Sequence, residues 1–220
     1  DAITPDAVQP AIDTLLAHAD AALGAVAAPD IRADWAEMRR TLDVGTELGP
    51  DPARAATLYQ RACAGEVPAA CGALGTLYED GRGVPKSEAR AAELYRIPCD
   101  RGDAGYCNNL GRMFKYGRGV PRDLARARAL FEQACAADDQ LACNNLGVLF
   151  EQGIGVAIDH ARARALYVQA CEGGEPRGCH NLGVMADAGH GEPADPAAAR
   201  AWFQRACDAG LTESCALTTP

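Results

Sequence analysis

Ten cysteines recur at fixed intervals from residue 63 to residue 215 of this 220-residue chain. The two cysteines of a pair are 8 residues apart, and successive pairs are 36 residues apart. The pairs are Cys63/Cys71, Cys99/Cys107, Cys135/Cys143, Cys171/Cys179 and Cys207/Cys215. A fixed period of this length is the signature of a repeat protein, in which each unit buries its apolar face against its neighbours.

Other residue types follow the same period and predict two helices per repeat. In one unit, helix A is expected over about 68–80 and helix B over about 87–101. A Gly-x-Gly element ends helix A, because glycine accepts the left-handed backbone found after a helix. A column of Asp and Ser supplies the N-caps of helix B. These N-cap residues are Asp51, Ser87, Asp123, Asp159 and Asp195.

Small residues indicate how closely the two helices pack. Gly75 and its equivalents lie opposite columns of alanine, which lets helix A approach helix B closely. Glycine lowers helix propensity by about 1 kcal/mol relative to alanine, so close packing has to offset that cost. The sequence therefore predicts an all-α solenoid of stacked helix pairs.

The cysteine spacing places each pair across one turn between helices. Eight residues lead from the last turn of helix B into the first turn of the next helix A, and antiparallel helices joined in this way come within disulfide reach. We predict five disulfides, one per repeat. Structural zinc sites favour C-x2-4-C pairs, so zinc ligation and reduced buried thiols are the less favoured alternatives. Disulfides indicate an oxidising compartment.

The repeated residues also resemble a known family. The pattern L-G-x-x-[YF]-x-x-G-x-G-V-P, followed by A-x-A-x-x-[YF]-x-x-A-C, resembles the Sel-1-like repeat over about residues 51–217. The added C-x7-C resembles its cysteine-rich secreted branch, the Helicobacter cysteine-rich proteins. The resemblance implies a right-handed α/α superhelix related to tetratricopeptide arrays, with helices A lining a concave face. It also implies protein or peptide binding, with penicillin-binding proteins, weak β-lactamases, periplasmic adaptors and immunity proteins among the members.

Departures from the repeat suggest how the chain is organised. Residues 1–50 are expected to form N-terminal capping helices, and residues 51–220 the repeat array. Pro98 is expected to kink or shorten its helix B. Ala186 replaces the helix A aromatic, and Glu192 replaces the apolar residue after Gly-x-Gly. The last full repeat is therefore expected to be looser, or to use this region for contact.

Hydropathy and charge limit the kinds of partner that the sequence predicts, and the start of the chain suggests its location. No apolar run approaches the roughly 18 to 20 residues of a membrane span, so none is expected. The net charge of -9 argues against nucleic acid as the main partner. The acidic first 50 residues weakly favour a basic partner. The chain begins at Asp1 rather than methionine, as expected after signal-peptide removal, and we predict a periplasmic or secreted monomer.

Catalytic motifs are missing from the sequence. The only serines are Ser87 and Ser214, and neither begins an S-x-x-K or lies in a G-x-S-x-G element. The cysteines are assigned to disulfides, and no motif for a metal, haem or nucleotide is present. We therefore expect no catalytic residue, no metal and no cofactor. A penicillin-binding protein or weak β-lactamase is the alternative.

An asparagine column is the candidate binding feature. Asn109, Asn145 and Asn181 recur on successive helices A, although asparagine is seldom buried unpaired. Their amides could hydrogen-bond the backbone of an extended peptide, a role that the resemblance to tetratricopeptide clamps supports. Alternatively, they could hold neighbouring repeats together. Arg112 and Tyr116 follow on the same helix face and would supply specificity. The predicted function is a protein-interaction scaffold, in a narrower form an immunity or inhibitor protein for a toxin or cell-wall enzyme.

Overall fold

The computed structural model describes residues 52–218, which form ten α-helices and no strand. The helices are α1 (Pro52–Ala64), α2 (Pro68–Asp80), α3 (Glu88–Asp100), α4 (Ala104–Tyr116), α5 (Leu124–Ala136), α6 (Gln140–Gln152), α7 (His160–Glu172), α8 (Pro176–Ala188), α9 (Pro196–Asp208) and α10 (Thr212–Cys215). Helices A are α2, α4, α6 and α8, and helices B are α1, α3, α5, α7 and α9. The predicted all-α class is confirmed. The capping helices predicted for residues 1–50, and the cap predicted at Asp51, lie outside the described residues.

The described residues belong to two compact units. Unit 1 contains residues 52–101 and 118–120, and unit 2 contains residues 102–117 and 121–218. In unit 1, α2 packs against both α1 and α3. In unit 2, each helix from α4 to α10 packs against the next, and helices A also contact each other, α4 with α6 and α6 with α8. Within each unit, packing is therefore between near neighbours along the chain, as in a solenoid.

The predicted caps set the helix ends. Ser87 Oγ accepts a hydrogen bond from the Arg90 backbone N–H at 3.3 Å, and Asp123 Oδ1 accepts one from the Arg126 N–H at 3.0 Å. Asp159 and Asp195 cap α7 and α9 in the same way. At the end of helix A, Gly81 adopts a left-handed backbone with φ of 72°, and its N–H donates to the Leu77 carbonyl. These caps satisfy backbone groups that a helix end leaves unpaired.

The glycine column allows an aromatic ring to lie directly on helix A. A Cβ atom added to Gly147 would lie 2.6 Å from Cε1 of Tyr167, which is a steric overlap. The same contact recurs at Gly75 with Tyr95, Gly111 with Phe131, and Gly183 with Phe203. All four rings are buried. The predicted close approach of helices A and B is thus achieved by seating a ring where the side chain is missing.

The cysteines form the predicted disulfides. Cys63–Cys71, Cys135–Cys143, Cys171–Cys179 and Cys207–Cys215 are bonded, and Cys99 and Cys107 are also disulfide-bonded. In the first of these the Cα atoms are 4.7 Å apart, within the usual range. Of the two effects expected at Pro98, the shortening is wrong, since α3 has 13 residues like the other long helices, and the kink stays a prediction. Pro98 lies in the last turn, where it removes one hydrogen bond without interrupting the helix body.

Candidate protein-binding surface

The binding residues predicted from the sequence lie on one face of successive helices A in unit 2. Asn109, Arg112 and Tyr116 are three and four residues apart in α4, so they share one side of that helix. The equivalent residues are Asn145, Val148 and Gln152 in α6, and Asn181, Val184 and Ala188 in α8. All nine are at least partly exposed. We call these nine residues the helix A stripe.

The stripe is joined from repeat to repeat by pairs of asparagines. Asn145 Nδ2 donates a hydrogen bond to Asn108 Oδ1 at 2.8 Å, and Asn181 Nδ2 donates one to Asn144 Oδ1 at 2.8 Å. Asn108 and Asn144 are only 2% and 4% exposed. These bonds satisfy buried acceptors that would otherwise be costly. These contacts match the alternative that the asparagines hold neighbouring repeats together, although the recurring N-N-L-G pattern does not by itself identify which asparagines pair.

The asparagine pairing changes in the first and last repeats of the stripe. In the last repeat His180 takes the place of Asn144, and its Nδ1 lies 2.9 Å from Oγ of the buried Ser214. At the other end, Asn109 has Gly72 at the sequence position where a partner asparagine would stand. Within residues 52–218 the Asn109 side chain forms no hydrogen bond. Asn109 therefore keeps its full donor and acceptor capacity.

Arg112 and Tyr116 extend the stripe with a cationic and an aromatic group. Tyr116 is 59% exposed, and the Lys115 Nζ lies 5.1 Å from the centroid of its ring. Arg112 is partly buried and forms no ion pair within the part of the chain that the structure describes. An aromatic ring beside an unpaired guanidinium can contact both apolar and acidic groups.

Within each unit, a tyrosine–glutamate pair ties helix B to helix A. Tyr167 Oη donates to Glu151 Oε2 at 2.8 Å, and Tyr95 Oη donates to Glu79 Oε2 at 2.7 Å. Burial, and then the hydrogen bond to Glu151, raise the pKa of Tyr167 well above its ordinary value. Its hydroxyl therefore stays protonated and acts as a donor. Phe131 has no hydroxyl to donate, and Lys115 stands at the position that corresponds to Glu79 and Glu151.

The asparagine pairs give a prediction with a control inside the same column. Replacing Asn181 by alanine should lower the free energy of unfolding by about 1–2 kcal/mol, because the acceptor of the buried Asn144 loses its partner. Replacing Asn109 by alanine should change it by less than about 0.5 kcal/mol, as for a surface position. Chemical denaturation followed by circular dichroism measures both. Equal losses for the two variants would contradict a structural role for the Asn144–Asn181 pair.

Metal ligands, serine hydroxyls and membrane-spanning helices are the other features that bear on function. No group of three or more His, Cys, Asp or Glu side chains within residues 52–218 is placed to hold a metal ion. Ser214 has His180 within hydrogen-bond reach, but it is 0% exposed, so a substrate has no access to its hydroxyl. Ser87 caps α3. Among the helices that the structure describes, none has the length and hydropathy needed to cross a bilayer.

Helix pairs repeated every 36 residues, with one disulfide per repeat, define a helical-repeat protein of the α-solenoid class. The sequence matches the Sel1 repeat at residues 42–66, 68–103, 104–139, 140–175 and 176–211. The chain therefore belongs to the Sel1 repeat family. None of the curated proteins matches its sequence significantly.

Solved structures with the same fold include proteins of several kinds. A Sel1 repeat protein from Oxalobacter formigenes aligns with a TM-score of 0.72 at 24% identity, over 96% of this chain and 78% of that one. Immunity protein Pa5087 from Pseudomonas aeruginosa aligns with a TM-score of 0.54 at 20% identity, over 86% and 69%. Cysteine rich protein B of Helicobacter pylori aligns at 0.48 and 24% identity, over 60% and 95%, which is too weak to carry an argument. These likenesses show the fold alone.

Proposed function

We propose that this Sel1 repeat protein is an extracytoplasmic binding module that holds a protein or peptide partner on the helix A stripe. The observation that carries the proposal is a contrast between core and surface. The buried positions repeat the same residue types from one repeat to the next. By contrast, two stripe positions vary between repeats: one is occupied by Arg112, Val148 and Val184, and the other by Tyr116, Gln152 and Ala188. A repeated core under a varied surface is what a binding scaffold needs, because stacked repeats create an extended recognition surface.

The chemistry of the stripe suits a polypeptide. Asn109, Asn145 and Asn181 each offer amide donors and acceptors at partly exposed positions, and an amide can pair with the N–H and C=O groups of an extended chain. Tyr and Arg are the residue types most enriched among energetically dominant contacts at protein interfaces. We therefore infer that Arg112 and Tyr116 form the specificity-determining end of the stripe, and that the asparagines hold the backbone of the partner.

The disulfides support the proposed location. Five bridges in one chain indicate an oxidising compartment, since thiols in the cytosol are kept reduced. A periplasmic or secreted location, reached after removal of a signal peptide, is the more specific form of this proposal. Bridges at every repeat also make the surface rigid before binding, which lowers the entropy cost of association.

A narrower form of the proposal is an immunity or inhibitor protein acting on a toxin or cell-wall enzyme. Immunity protein Pa5087 shares the fold, and the net charge of -9 would suit a basic partner. That the chain is a monomer, and that it is not an enzyme, stay predictions. The alternative of a penicillin-binding protein or weak β-lactamase finds no support in the surroundings of Ser87 or Ser214.

The test is capture of a partner by oxidised wild-type protein and by an Arg112→Ala, Tyr116→Ala double variant. We expect the amount of partner captured by the double variant to fall by about tenfold or more. Arg and Tyr are residue types whose truncation at an interface often costs more than about 1 kcal/mol of binding free energy. Arg200→Ala is the matched control, since it removes one exposed arginine from helix B. Equal retention by the double variant, with circular dichroism unchanged, would rule the stripe out as the binding site.

A further inference from the structure

A cavity of about 120 Å³ lies in unit 2 beside α8 and α9. Its apolar lining includes Leu182 and Met185, which are 3% and 4% exposed, together with Ala186, Ala198 and Trp202. We call it the Ala186 pocket. It lies in the repeat whose departures from the sequence pattern predicted a looser structure or a contact site. Its volume is near the roughly 150 Å³ of an engineered apolar cavity that binds benzene.

The preceding repeat shows what occupies the same place when the pattern is intact. Ala186 corresponds to Phe150 and Ala198 corresponds to Arg162, each 36 residues earlier. There the Arg162 guanidinium carbon lies 4.2 Å from the centroid of the Phe150 ring, and Phe150 is 6% exposed. Both members of this ring–cation contact are alanine in the last full repeat. The pocket therefore lies where the chain elsewhere places a phenyl ring with a cation stacked on it.

The remaining substitutions leave the space open and change its rim. Trp202 replaces a leucine, and it contributes one aromatic wall. Glu192 replaces the valine of earlier repeats, and it forms an ion pair with Arg164 at the rim. Asp195, the N-cap of α9, is a second carboxylate of the lining. The other ionisable lining residues are Arg164 and His190, so with the imidazole neutral the lining carries a net negative charge, which complements a basic group.

We propose that the Ala186 pocket binds an aromatic side chain of the protein partner, with a basic group next to the ring. The ring would occupy the volume that Phe150 fills one repeat earlier, with the basic group at the rim near Glu192 and Asp195. The inference rests on the proposed function in one respect, because a bound protein supplies the ring. It adds a second contact point, outside the helix A stripe, with its own chemistry.

The test uses small probes and the methyl groups of two methionines. Met185 lines the pocket, and Met113 occupies the same repeat position two repeats earlier, beside Phe114 instead of an alanine. We expect 2-phenylethylamine to shift the Met185 methyl resonance saturably and to leave that of Met113 unchanged. 3-Phenylpropionate should bind at least about threefold more weakly, as expected for an exposed charge interaction, and butylamine should give no shift.

Two variants complete the test. Ala186→Phe refills the pocket, and Ala186→Phe with Trp202→Leu restores the residues of the preceding repeat at both positions, which keeps a well-packed alternative if the single variant folds poorly. Loss of the Met185 shift in the double variant is expected. Any one of four results would overturn the proposal: a Met185 signal that does not move, a Met185 shift that persists in the double variant, an equal shift at Met113, or equal affinity for 3-phenylpropionate. None of these results depends on Arg112 or Tyr116, so failure of the pocket and failure of the helix A stripe are distinguishable.

Discussion

Replacing Gly119 by alanine should lower the free energy of unfolding by about 3 kcal/mol or more, the sum of an overpacking cost and a left-handed backbone cost. Gly119 has φ of 68°, and a Cβ atom there would overlap the carbonyl group of Glu88 and the nitrogen of Ala89. All three residues belong to unit 1. The atoms in the way are backbone atoms of the first turn of α3, so they cannot move aside by a change of rotamer.

A second glycine separates the two costs. Gly174 has φ of 94°, but a Cβ atom added to it would meet no atom within 4 Å. Repeat-equivalent positions are occupied by Glu66 and Asp138, which adopt φ of 61° and 64°. Gly174→Ala should therefore cost only about 1 kcal/mol, the backbone term alone. Denaturant titration of both variants gives the comparison, and a Gly119→Ala loss no greater than that of Gly174→Ala would show that the close approach to α3 is unimportant.

This comparison also shows what the sequence could and could not predict. The sequence predicts that the Gly-x-Gly element ends helix A, and Gly81 and Gly117 do end α2 and α4 in left-handed conformations. The second glycine of each element has another role, because it packs against the start of an earlier helix B, as Gly83 does against Pro52. A helix end is a local property that composition reveals, whereas this contact joins residues about 30 positions apart.

The helices and disulfides were predictable for a physical reason. Caps, glycines and cysteines each act within a few residues, and the 36-residue period repeats each signal several times, so α4 to α9 begin and end where their caps stand. The asparagine pairs were not predictable in the same way. Asn145 could have turned to solvent or to Asn108, and only the packing of α6 beside α4 decides between them. Whether the partly exposed asparagines also bind a peptide stays a prediction.

The candidate binding surface was also predictable only in part. The sequence predicted that Asn109, Arg112 and Tyr116 share a face of one helix, since residues three and four apart always do. It also predicted that the region of Ala186 and Glu192 differs from the other repeats. It could not predict a cavity there, because the indole of Trp202 is large enough to fill the space left by the missing ring. The volume that remains depends on side-chain packing across α8 and α9.

Removing the central disulfide by Cys135→Ala and Cys143→Ala should lower the free energy of unfolding by more than about 2.5 kcal/mol, the chain-entropy value for a loop of about nine residues. The bridge closes the turn between α5 and α6, and its cysteines are 6% and 0% exposed, so the smaller alanines also reduce packing. Guanidinium titration gives the loss, and hydrogen exchange at the amides of α5 and α6 shows whether the opening is local.

The Cys207–Cys215 bridge supplies the matched control for this prediction. It has the same sequence separation of 8, but both of its cysteines are partly exposed and it lies next to the short helix α10. If loop closure alone accounts for the stabilisation, Cys207→Ala with Cys215→Ala should cost as much as the central variant. We expect the central variant to cost more, because its bridge is also part of the core between successive repeats. A central variant as stable as the wild type would show that the repeats stack equally well without this bridge.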